Sequence, residues 1–328
     1  MILFTADWHI KLGQKNVPIP WACARYQHFF DQIYDLEKNV SLHIIGGDLF
    51  DRVPSMDELT LYFDFVKNVS VETIIFDGNH EATRKHKTFF TNLKRVTEEL
   101  NPKVKVITET FYLHDWAILP YADLHRKNSI EDIDDVDYLF THVRGEIPPH
   151  VSPEVDLERF DKFKIVFAGD LHAHENTQRN IVYPGSPMTT SFHRNLVKTG
   201  YILIDDDWSW TWHEFDLPQL LRKTVTSTDV DGSTIGTVNI TESTETAHPF
   251  LENTNFVLHT ADLAAEEEIL IFSKTFTAST GYNYKAIDKG RYIHYNLLDS
   301  PRFIKDPKYG EVMYVDMEKI DDANYAKR

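Results

Sequence analysis

Residues 42–51 read LHIIGGDLFD, an apolar run followed by two glycines and a pair of acidic residues. The run has the length and the branched side chains of a buried β-strand. Asp48 and Asp51 follow its end, and α/β sheets bind ligands at the carboxyl ends of their strands. The stretch therefore predicts a buried strand that presents chemically active groups at its carboxyl end.

The same pattern recurs at four other places in the chain. The polar groups are Asp7 and His9 after ILFTA (2–6), Asn79 and His80 after TIIFD (73–77), His142 after DYLFT (137–141), and Asp170 and His172 after KIVFA (164–168). Each cluster alone also occurs by chance, and a lone histidine after a strand is more often a hydrogen-bonded core residue. Together they mix oxygen and imidazole ligands, which suits Mn²⁺, Fe or Zn²⁺ better than Mg²⁺ alone. The five clusters predict a binuclear metal site.

Apolar, β-branched runs alternate with helical patterns along the first two thirds of the chain. This alternation predicts an α/β core with largely parallel strands. Strands are expected at 2–5, 42–45, 73–76, 104–107, 117–119, 138–141 and 164–167, helices at 23–38, 56–67 and 88–100, and a closing hairpin at 201–204 and 208–215.

The composition shifts towards Thr, Ser and Glu from about Pro218 onward, which predicts a domain boundary near residue 217. Three parts are expected, at 1–217, 218–300 and 301–328. A helix is expected at Ala261–Lys274, and strand-like pieces at 255–258 and 292–297.

The composition limits the class of protein. The 328 residues carry a net charge of −17 and a single cysteine, Cys23, so an intramolecular disulfide is excluded. No apolar run approaches the roughly 18 residues of a membrane helix, and a cytoplasmic protein is expected. Such a negative net charge is unlike that of a protein that binds duplex DNA without a partner. The basic run Arg84–Lys105 is the local exception, and it reads equally well as a phosphate-binding stretch or as a solvated helix face.

Three longer segments resemble the motifs of one known family. DWHIKLGQ (7–14) is similar to the opening motif of SbcD-type nucleases, GDLFDRVPS (47–55) is similar to their second motif, and YPGSP (183–187) to the segment after their last motif. These nucleases are calcineurin-like metallophosphoesterases, some of them phage-encoded. The resemblance covers about residues 1–215. It implies a nuclease domain at 1–217, built as a sandwich of two mixed sheets flanked by helices, and a smaller α+β capping and DNA-binding domain at 218–300. It also implies that the C-terminal segment at 301–328 could contact a partner subunit.

The resemblance also implies a set of metal ligands. Asp7, His9 and His172 would bind the first ion, Asp48 would bridge, and Asn79, His142 and Asp170 would bind the second. The family usually has histidine where this chain has Asp170, so the predicted site has one more negatively charged side chain. A rival register makes His172 and His174 the final ligand pair and leaves Asp170 outside it.

The implied activity is hydrolysis of DNA phosphodiester bonds by hydroxide at two divalent ions, most simply Mn²⁺. His80 would stabilise the transition state or protonate the leaving oxygen, and the Asp51 carboxylate would orient His80 through a hydrogen bond. Asp51 could instead cap the helix that begins near Met56. Trp8 reads either as core packing or as a base-stacking platform.

The resemblance implies an SbcC-like coiled-coil ATPase as the partner. It also implies a homodimer that forms through helices, and here the helices at 23–38 and 88–100 carry Phe29, Ile33, Phe90 and Leu93. Those apolar faces could equally pack on their own sheet. Two other functions use the same motifs: a phosphomonoesterase, such as a protein phosphatase or nucleotidase, and a non-catalytic scaffold for DNA ends.

Overall fold

A computed structural model of the chain describes residues 1–14, 17, 19–84, 86–193 and 195–226, and beyond these only separate strand segments up to Met313. Its first part contains these elements in order: β1 Ile2–Thr5, α1 Ile19–Glu37, β2 Leu42–Gly46, α2 Met56–Asn68, β3 Glu72–Phe76, β4 Ala82–Arg84, β5 Lys87–Thr88, α3 Phe90–Leu100, β6 Val104–Ile107, β7 Phe111–Leu113, β8 Trp116–Leu119, α4 Tyr121–Leu124, β9 Tyr138–His142, β10 Ile165–Gly169, β11 Ile181–Val182, β12 Gly200–Ile204 and β13 Trp210–Glu214.

Two mixed sheets form the core of this part. The first has the strand order β13-β12-β1-β2-β3-β6 and the second has β11-β10-β9-β8-β7. Strands β1, β2, β3 and β6 are parallel, as are β8 to β11, whereas β12 runs antiparallel to β1 and β7 antiparallel to β8. The largely parallel α/β core and the antiparallel closing hairpin β12–β13 are both confirmed.

Apolar side chains from both sheets fill the space between them. Phe4 of β1 meets Phe140 of β9 and Phe167 of β10 edge to face, with ring centroids 5.4 and 6.0 Å apart. Such ring pairs add to the burial energy of the layer. The rigid layer fixes the carboxyl ends of β1 and β2 relative to those of β9 and β10.

Trp8 belongs to the aromatic core beside α1 and α2. Its ring is almost fully buried and lies 4.8 Å from Phe29 and 5.0 Å from Phe65, centroid to centroid. Its indole N–H donates to the Thr5 hydroxyl. Core packing is therefore its role, and the base-stacking interpretation is wrong.

The predicted dimer faces of two helices are used inside this chain. Of the four predicted residues, Phe29, Ile33 and Phe90 are buried in the chain's own core and are not available to a second copy, whereas Leu93 is half-buried. The interpretation that these helices pack on their own sheet is the one the structure supports.

Two local expectations about charged residues are also settled. Helix α2 begins after Ser55, whose side chain accepts from the Glu58 amide while the Glu58 carboxylate accepts from the Ser55 amide. The alternative in which Asp51 caps this helix is therefore wrong. In α3, Lys94 pairs with Glu98 and Arg95 with Glu99, so this part of the basic run is a solvated helix face.

The later part of the chain contains strands β14 Gln219–Thr226, β15 Thr234–Glu242, β16 Phe256–Leu258, β17 Glu268–Phe272, β18 Asn283–Ile287, β19 His294–Tyr295, β20 Phe303–Asp306 and β21 Gly310–Met313. They form two four-stranded sheets, β14-β15-β16-β19 and β17-β18-β21-β20. The helix predicted at 261–274 is wrong at Glu268–Phe272, which is β17, and its other residues lie outside the described ones.

The chain divides into two compact units by its internal contacts. The first comprises Met1–Leu12, Tyr26–Thr190 and Val197–Asp216, and the second Gly13–Arg25, Ser191–Leu196 and Leu217–Arg328. The domain boundaries predicted from composition stay a prediction. Among the described residues, no helix has the length and apolar character that crossing a membrane requires.

Candidate metal centre

The predicted polar clusters meet at one edge of the two sheets. The loop after β1 is tied to the loop after β2, because the Asp7 and His9 amides donate to the carbonyls of Gly47 and Asp48 at 3.1 and 2.9 Å. The loop after β10 joins them, since the Asp170 amide donates to the Asp7 carboxylate at 3.0 Å. Backbone hydrogen bonds thus hold three of the five clusters together.

Asp48 lies between two groups of candidate ligands. Its Oδ2 is 3.6 Å from His9 Nε2, and its Oδ1 is 3.5 Å from His142 Nε2. The carboxylate is almost completely buried. One carboxylate that turns a separate oxygen to each side can bridge two metal ions.

The first group consists of Asp7, His9 and His172, whose potential ligand atoms all lie within 4.8 Å of one another. The Nε2 atoms of His9 and His172 are 3.0 Å apart. The Nδ1 atom of His172 lies 3.3 Å from the Thr190 hydroxyl, which leaves its Nε2 directed at the group.

The second group surrounds His142, which is fully buried. Its Nδ1–H donates to the Gly46 carbonyl at 3.0 Å, which fixes the tautomer and leaves the Nε2 lone pair for a ligand. Nε2 lies 3.3 Å from Asn79 Oδ1 and 3.8 Å from Asp170 Oδ1. The geometry brings together all three residues predicted for the second ion.

This donor set fits two divalent ions. Carboxylate and amide oxygens converge with imidazole Nε2 atoms, which is the mixture that first-row divalent metals accept. Among the described residues the buried His9 Nδ1 has no hydrogen-bond partner, and the Asp51 Oδ1 atom lies 3.9 Å away. A ligand histidine is normally oriented by a carboxylate on its other nitrogen, so this pair would tighten when His9 binds a metal.

Two comparisons with known proteins give clear matches. The family model described as calcineurin-like phosphoesterase matches residues 1–174, a range that contains all seven predicted ligands. "Probable exonuclease subunit 1" of Escherichia phage T5 is 40% identical over 236 residues, which cover 68% of this chain and 72% of that protein.

The chain belongs to the calcineurin-like phosphoesterase family.

Solved structures give weaker similarity to this phosphoesterase. TT1561 of Thermus thermophilus matches 65% of this chain and 97% of its own, with 12% identity and a TM-score of 0.42. Another crystal structure matches 65% of this chain and 98% of its own, with 10% identity and a TM-score of 0.44.

Four of the ten described non-glycine residues with a positive φ angle lie in the candidate metal centre. Asp7, His9, Asp48 and Asp170 have φ angles of +57°, +45°, +50° and +102°, a region that non-glycine residues rarely adopt. Such conformations cost about 1–3 kcal/mol each and persist where the surrounding structure imposes them, most often at functional sites. Four of the seven predicted ligands carry this strain.

Gly47 allows the loops to approach each other. Its φ is +85°, and a Cβ at this position would lie 2.6 Å from His142 Nδ1 and 2.8 Å from the Gly78 backbone. Any side chain here would displace His142 from the second group. The Gly-Asp pair in the second motif is thus required by packing as well as by chemistry.

Glu81 fastens two ligand loops together. Its fully buried carboxylate accepts from the amides of Asp48, Phe50 and Gly78 at 2.9, 2.9 and 2.8 Å. The predicted site did not include Glu81. The only sequence signal for it was its place directly after Asn79 and His80 in the third cluster.

The electrostatics of the metal-free site depend on burial. Burial lowers the pKa of His9 to about 3, so its imidazole is neutral near pH 7. Burial also opposes a charge on His142, but the facing carboxylates of Asp48, Asp7 and Asp170 outweigh it and raise the His142 pKa. Burial raises the pKa of Asp7 well above its ordinary value. A divalent ion would therefore compete with protons for His142 and Asp7.

The expected contact between the Asp51 carboxylate and His80 is wrong. His80 Nδ1–H donates to the backbone carbonyl of Asp51 at 2.5 Å, while the Asp51 carboxylate pairs with Lys11 Nζ at 2.7 Å. Lys11 holds the carboxylate on the side of His9. The backbone of Asp51 nevertheless orients His80, whose Nε2 lies 3.8 Å from Asp48 Oδ2 on the more exposed side of the site.

His174 lies outside the clustered groups among the described residues. Its Nδ1–H donates to the Tyr183 carbonyl at 2.6 Å, and its ring stacks on Trp212 with centroids 5.2 Å apart. The register with Asp170 is favoured over the rival register because Asp170 Oδ1 lies 3.8 Å from His142 Nε2. Arg144, which the sequence did not single out, contacts the Asp170 carboxylate from the other side.

Proposed function

We propose that this phosphoesterase is the metal-dependent nuclease subunit of an SbcD-type DNA-processing complex. The observation that carries the proposal is the position of Asp48, whose two oxygens face His9 and His142 at 3.6 and 3.5 Å. A buried bridging carboxylate between two ligand groups suits hydrolysis of a phosphate ester by two metals.

The similarity to the T5 protein supports the nuclease activity and the subunit role. That relative is named a probable exonuclease subunit and is 40% identical over most of this chain. DNA is accordingly the proposed substrate, and an SbcC-like coiled-coil ATPase is the proposed partner. The proposed location is the cytoplasm, which would be that of the host for a phage-encoded protein.

Each candidate ligand has a proposed position. Asp7, His9 and His172 would hold the first ion, Asp48 would be shared, and Asn79, His142 and Asp170 would hold the second. Mn²⁺ is the proposed metal, because the set contains both carboxylates and imidazoles. When bound, two such ions supply Lewis-acid chemistry, which acidifies water near neutral pH and neutralises charge on phosphoryl oxygens.

His80 is the proposed proton donor. The Asp51 carbonyl accepts from its Nδ1–H, so the ring presents Nε2 towards the open side of the site. A protonated Nε2 there can donate to the leaving oxygen or to a phosphoryl oxygen of the transition state. Asp51 is proposed to act on His80 through its backbone, and on His9 through its carboxylate 3.9 Å away.

Because the chain is acidic, DNA binding is proposed to be shared with other subunits. The chain has a net charge of −17, and two of the six described basic residues of the run, Lys94 and Arg95, are already paired to glutamates, which reduces the phosphate contacts that the run can make. Nonspecific DNA affinity depends on the release of counterions by many such contacts. A homodimer and the ATPase subunit are proposed to supply the rest, with residues 218–300 as a DNA-holding cap and 301–328 as a contact to the ATPase.

A cleavage assay on the full chain tests this proposal. Linear duplex DNA, single-stranded circles, a phosphopeptide and a nucleotide are incubated with Mn²⁺ and then with excess EDTA. Cleavage of DNA that depends on Mn²⁺, is lost in Asp48→Asn and is kept in Asp64→Asn supports the proposal, since exposed Asp64 only pairs with Lys67. Release of phosphate from the nucleotide or peptide without DNA cleavage would identify a phosphomonoesterase. Full DNA cleavage in EDTA would refute the metal requirement.

A further inference from the structure

Asp170 is held by an arginine that comes from a different strand end. The Arg144 Nε lies 3.2 Å from Asp170 Oδ2, and its Nη2 lies 3.3 Å from Oδ1. Both carboxylate oxygens are thus engaged by one guanidinium. The Asp170 side chain is 5% exposed, whereas that of Arg144 is 40% exposed.

Arg144 itself is held in place by a network of contacts to the Glu154 carboxylate. Its backbone amide donates to Glu154 Oε1 at 2.9 Å, and Glu154 Oε2 accepts from the Tyr121 hydroxyl at 3.0 Å. His125 Nε2 lies 3.3 Å from the same oxygen. The network fixes the chain two residues after His142, so the guanidinium is directed at Asp170 rather than free in solvent.

The pair has a consequence for the charge of the site. Three carboxylates, Asp7, Asp48 and Asp170, would offset three of the four positive charges of two divalent ions and leave a net charge of +1. A neutral histidine in place of Asp170 would leave +2. The positive charge of Arg144 returns the sum from +1 to +2, the value of a site that has histidine at this position.

We propose that Arg144 and Asp170 act as one unit at the second metal position, supplying an oxygen ligand without adding net negative charge. This inference rests on the metal centre of the proposed function. Arg144 is a positioning residue in this account: it orients the Asp170 carboxylate and limits how strongly that carboxylate attracts a cation. Without Arg144, Asp170 is expected to destabilise the metal-free protein. Without Asp170, Arg144 is expected to weaken metal binding.

Calorimetric titration of the full chain with Mn²⁺ tests the unit. Arg144→Gln removes a positive charge close to the second ion and should tighten its binding about tenfold, because like charges at this range repel strongly in a partly buried site. Asp170→His leaves the guanidinium facing the ion and should weaken binding about tenfold. The double variant should return to within about threefold of the wild type, since it regains the same formal charge.

Thermal unfolding provides a reading that does not depend on bound metal. In EDTA, Arg144→Gln should lower the Tm, because Asp170 then loses its arginine partner while it still lies beside the Asp7 carboxylate. In Mn²⁺, the same variant should gain a larger increase in Tm than the wild type. A purely structural salt bridge would lower the Tm by the same amount in both conditions, and that result would overturn the inference.

Matched variants control for general effects. Arg159→Gln removes a bidentate arginine–carboxylate pair, to Glu131 at 2.6 and 2.7 Å, that lies away from the ligands, and Mn²⁺ binding should not change. Arg144→Lys keeps the charge and should bind Mn²⁺ nearly as the wild type does, which provides a test if Arg144→Gln does not fold.

The outcomes separate this inference from the proposed function. Equal Mn²⁺ affinity in the wild type and Arg144→Gln, or a double variant whose Mn²⁺ affinity differs from that of the wild type by tenfold or more, would overturn the unit while Mn²⁺-dependent DNA cleavage still stands. A wild type that binds two Mn²⁺ but cuts no DNA, with the predicted shifts in Mn²⁺ affinity in the variants, would support the unit and refute the substrate. A wild type that binds no Mn²⁺ would overturn both.

Discussion

Replacement of Glu81 should destabilise the fold and the metal centre together. The Glu81 side chain is fully buried, and its carboxylate is the acceptor for three backbone amides on two ligand loops. Asp48 lies on one of these loops, and Gly78 precedes Asn79 and His80 on the other. Glu81→Ala would leave all three N–H groups buried without their acceptor.

The size of the effect follows from the number of lost partners. A buried donor left unsatisfied costs about 1–3 kcal/mol, so three such donors would cost about 3–9 kcal/mol. Water that enters the space left by the side chain would place the loss in the lower half of that range. Domain stabilities are about 5–15 kcal/mol. Glu81→Ala should therefore remove a large fraction of the free energy of unfolding.

Glu81→Gln separates the hydrogen bonds from the size of the side chain. Oε2 accepts from Asp48 and Gly78, whereas Oε1 accepts only from Phe50. The amide oxygen of glutamine can replace Oε2 and keep two hydrogen bonds, while its NH₂ group faces the Phe50 amide. The loss should be about 1–3 kcal/mol, the cost of one unsatisfied donor.

Urea unfolding in EDTA, followed by tryptophan fluorescence, measures both variants. Glu99→Gln is the control, because exposed Glu99 makes only a surface pair with Arg95 and should change stability by less than about 1 kcal/mol. From the most to the least stable, the expected order is wild type, Glu99→Gln, Glu81→Gln and Glu81→Ala. If the free energy of unfolding of Glu81→Ala is within about 1 kcal/mol of that of the wild type, the assigned role of Glu81 is wrong.

Two further predictions concern the chemistry of the site. His80→Ala should abolish DNA cleavage while two Mn²⁺ remain bound, because His80 is assigned to proton transfer; the exposed His150→Ala should retain both, and loss of a metal from His80→Ala would show that it is a ligand. Mn²⁺ binding should release protons and strengthen as pH rises, because the pKa values of His142 and Asp7 are raised in the metal-free site and both groups must lose their protons to bind. Calorimetry in two buffers with different heats of ionisation checks this, and an identical binding enthalpy in both buffers would contradict it.

The sequence predicted the strands and the place of the ligands well for a physical reason. Buried parallel strands are short apolar runs with abrupt ends, and the chain direction fixes which edge of the sheet those ends share. Asp48 and His142 could therefore be assigned to one place although they lie far apart in the sequence. The run at Glu268–Phe272, EILIF, shows the limit, because a continuous apolar run fits a buried strand as well as part of a helix.

Residues that act through tertiary contacts carried little sequence signal. Glu81 has its role only because three amides from two loops converge on it. Arg144 and Asp170 are 26 residues apart and meet only after β9 and β10 pair. The Asp51 carboxylate was predicted to contact His80, but it pairs with Lys11 instead. The backbone carbonyl of Asp51 accepts the hydrogen bond from His80.

Anomalous diffraction from crystals grown in Mn²⁺ tests the binuclear centre most directly. Two manganese peaks are predicted, one on each side of the Asp48 carboxylate. One should contact Asp7, His9 and His172, and the other Asn79, His142 and Asp170. A single peak, or two peaks of which neither contacts Asp48, would contradict the account.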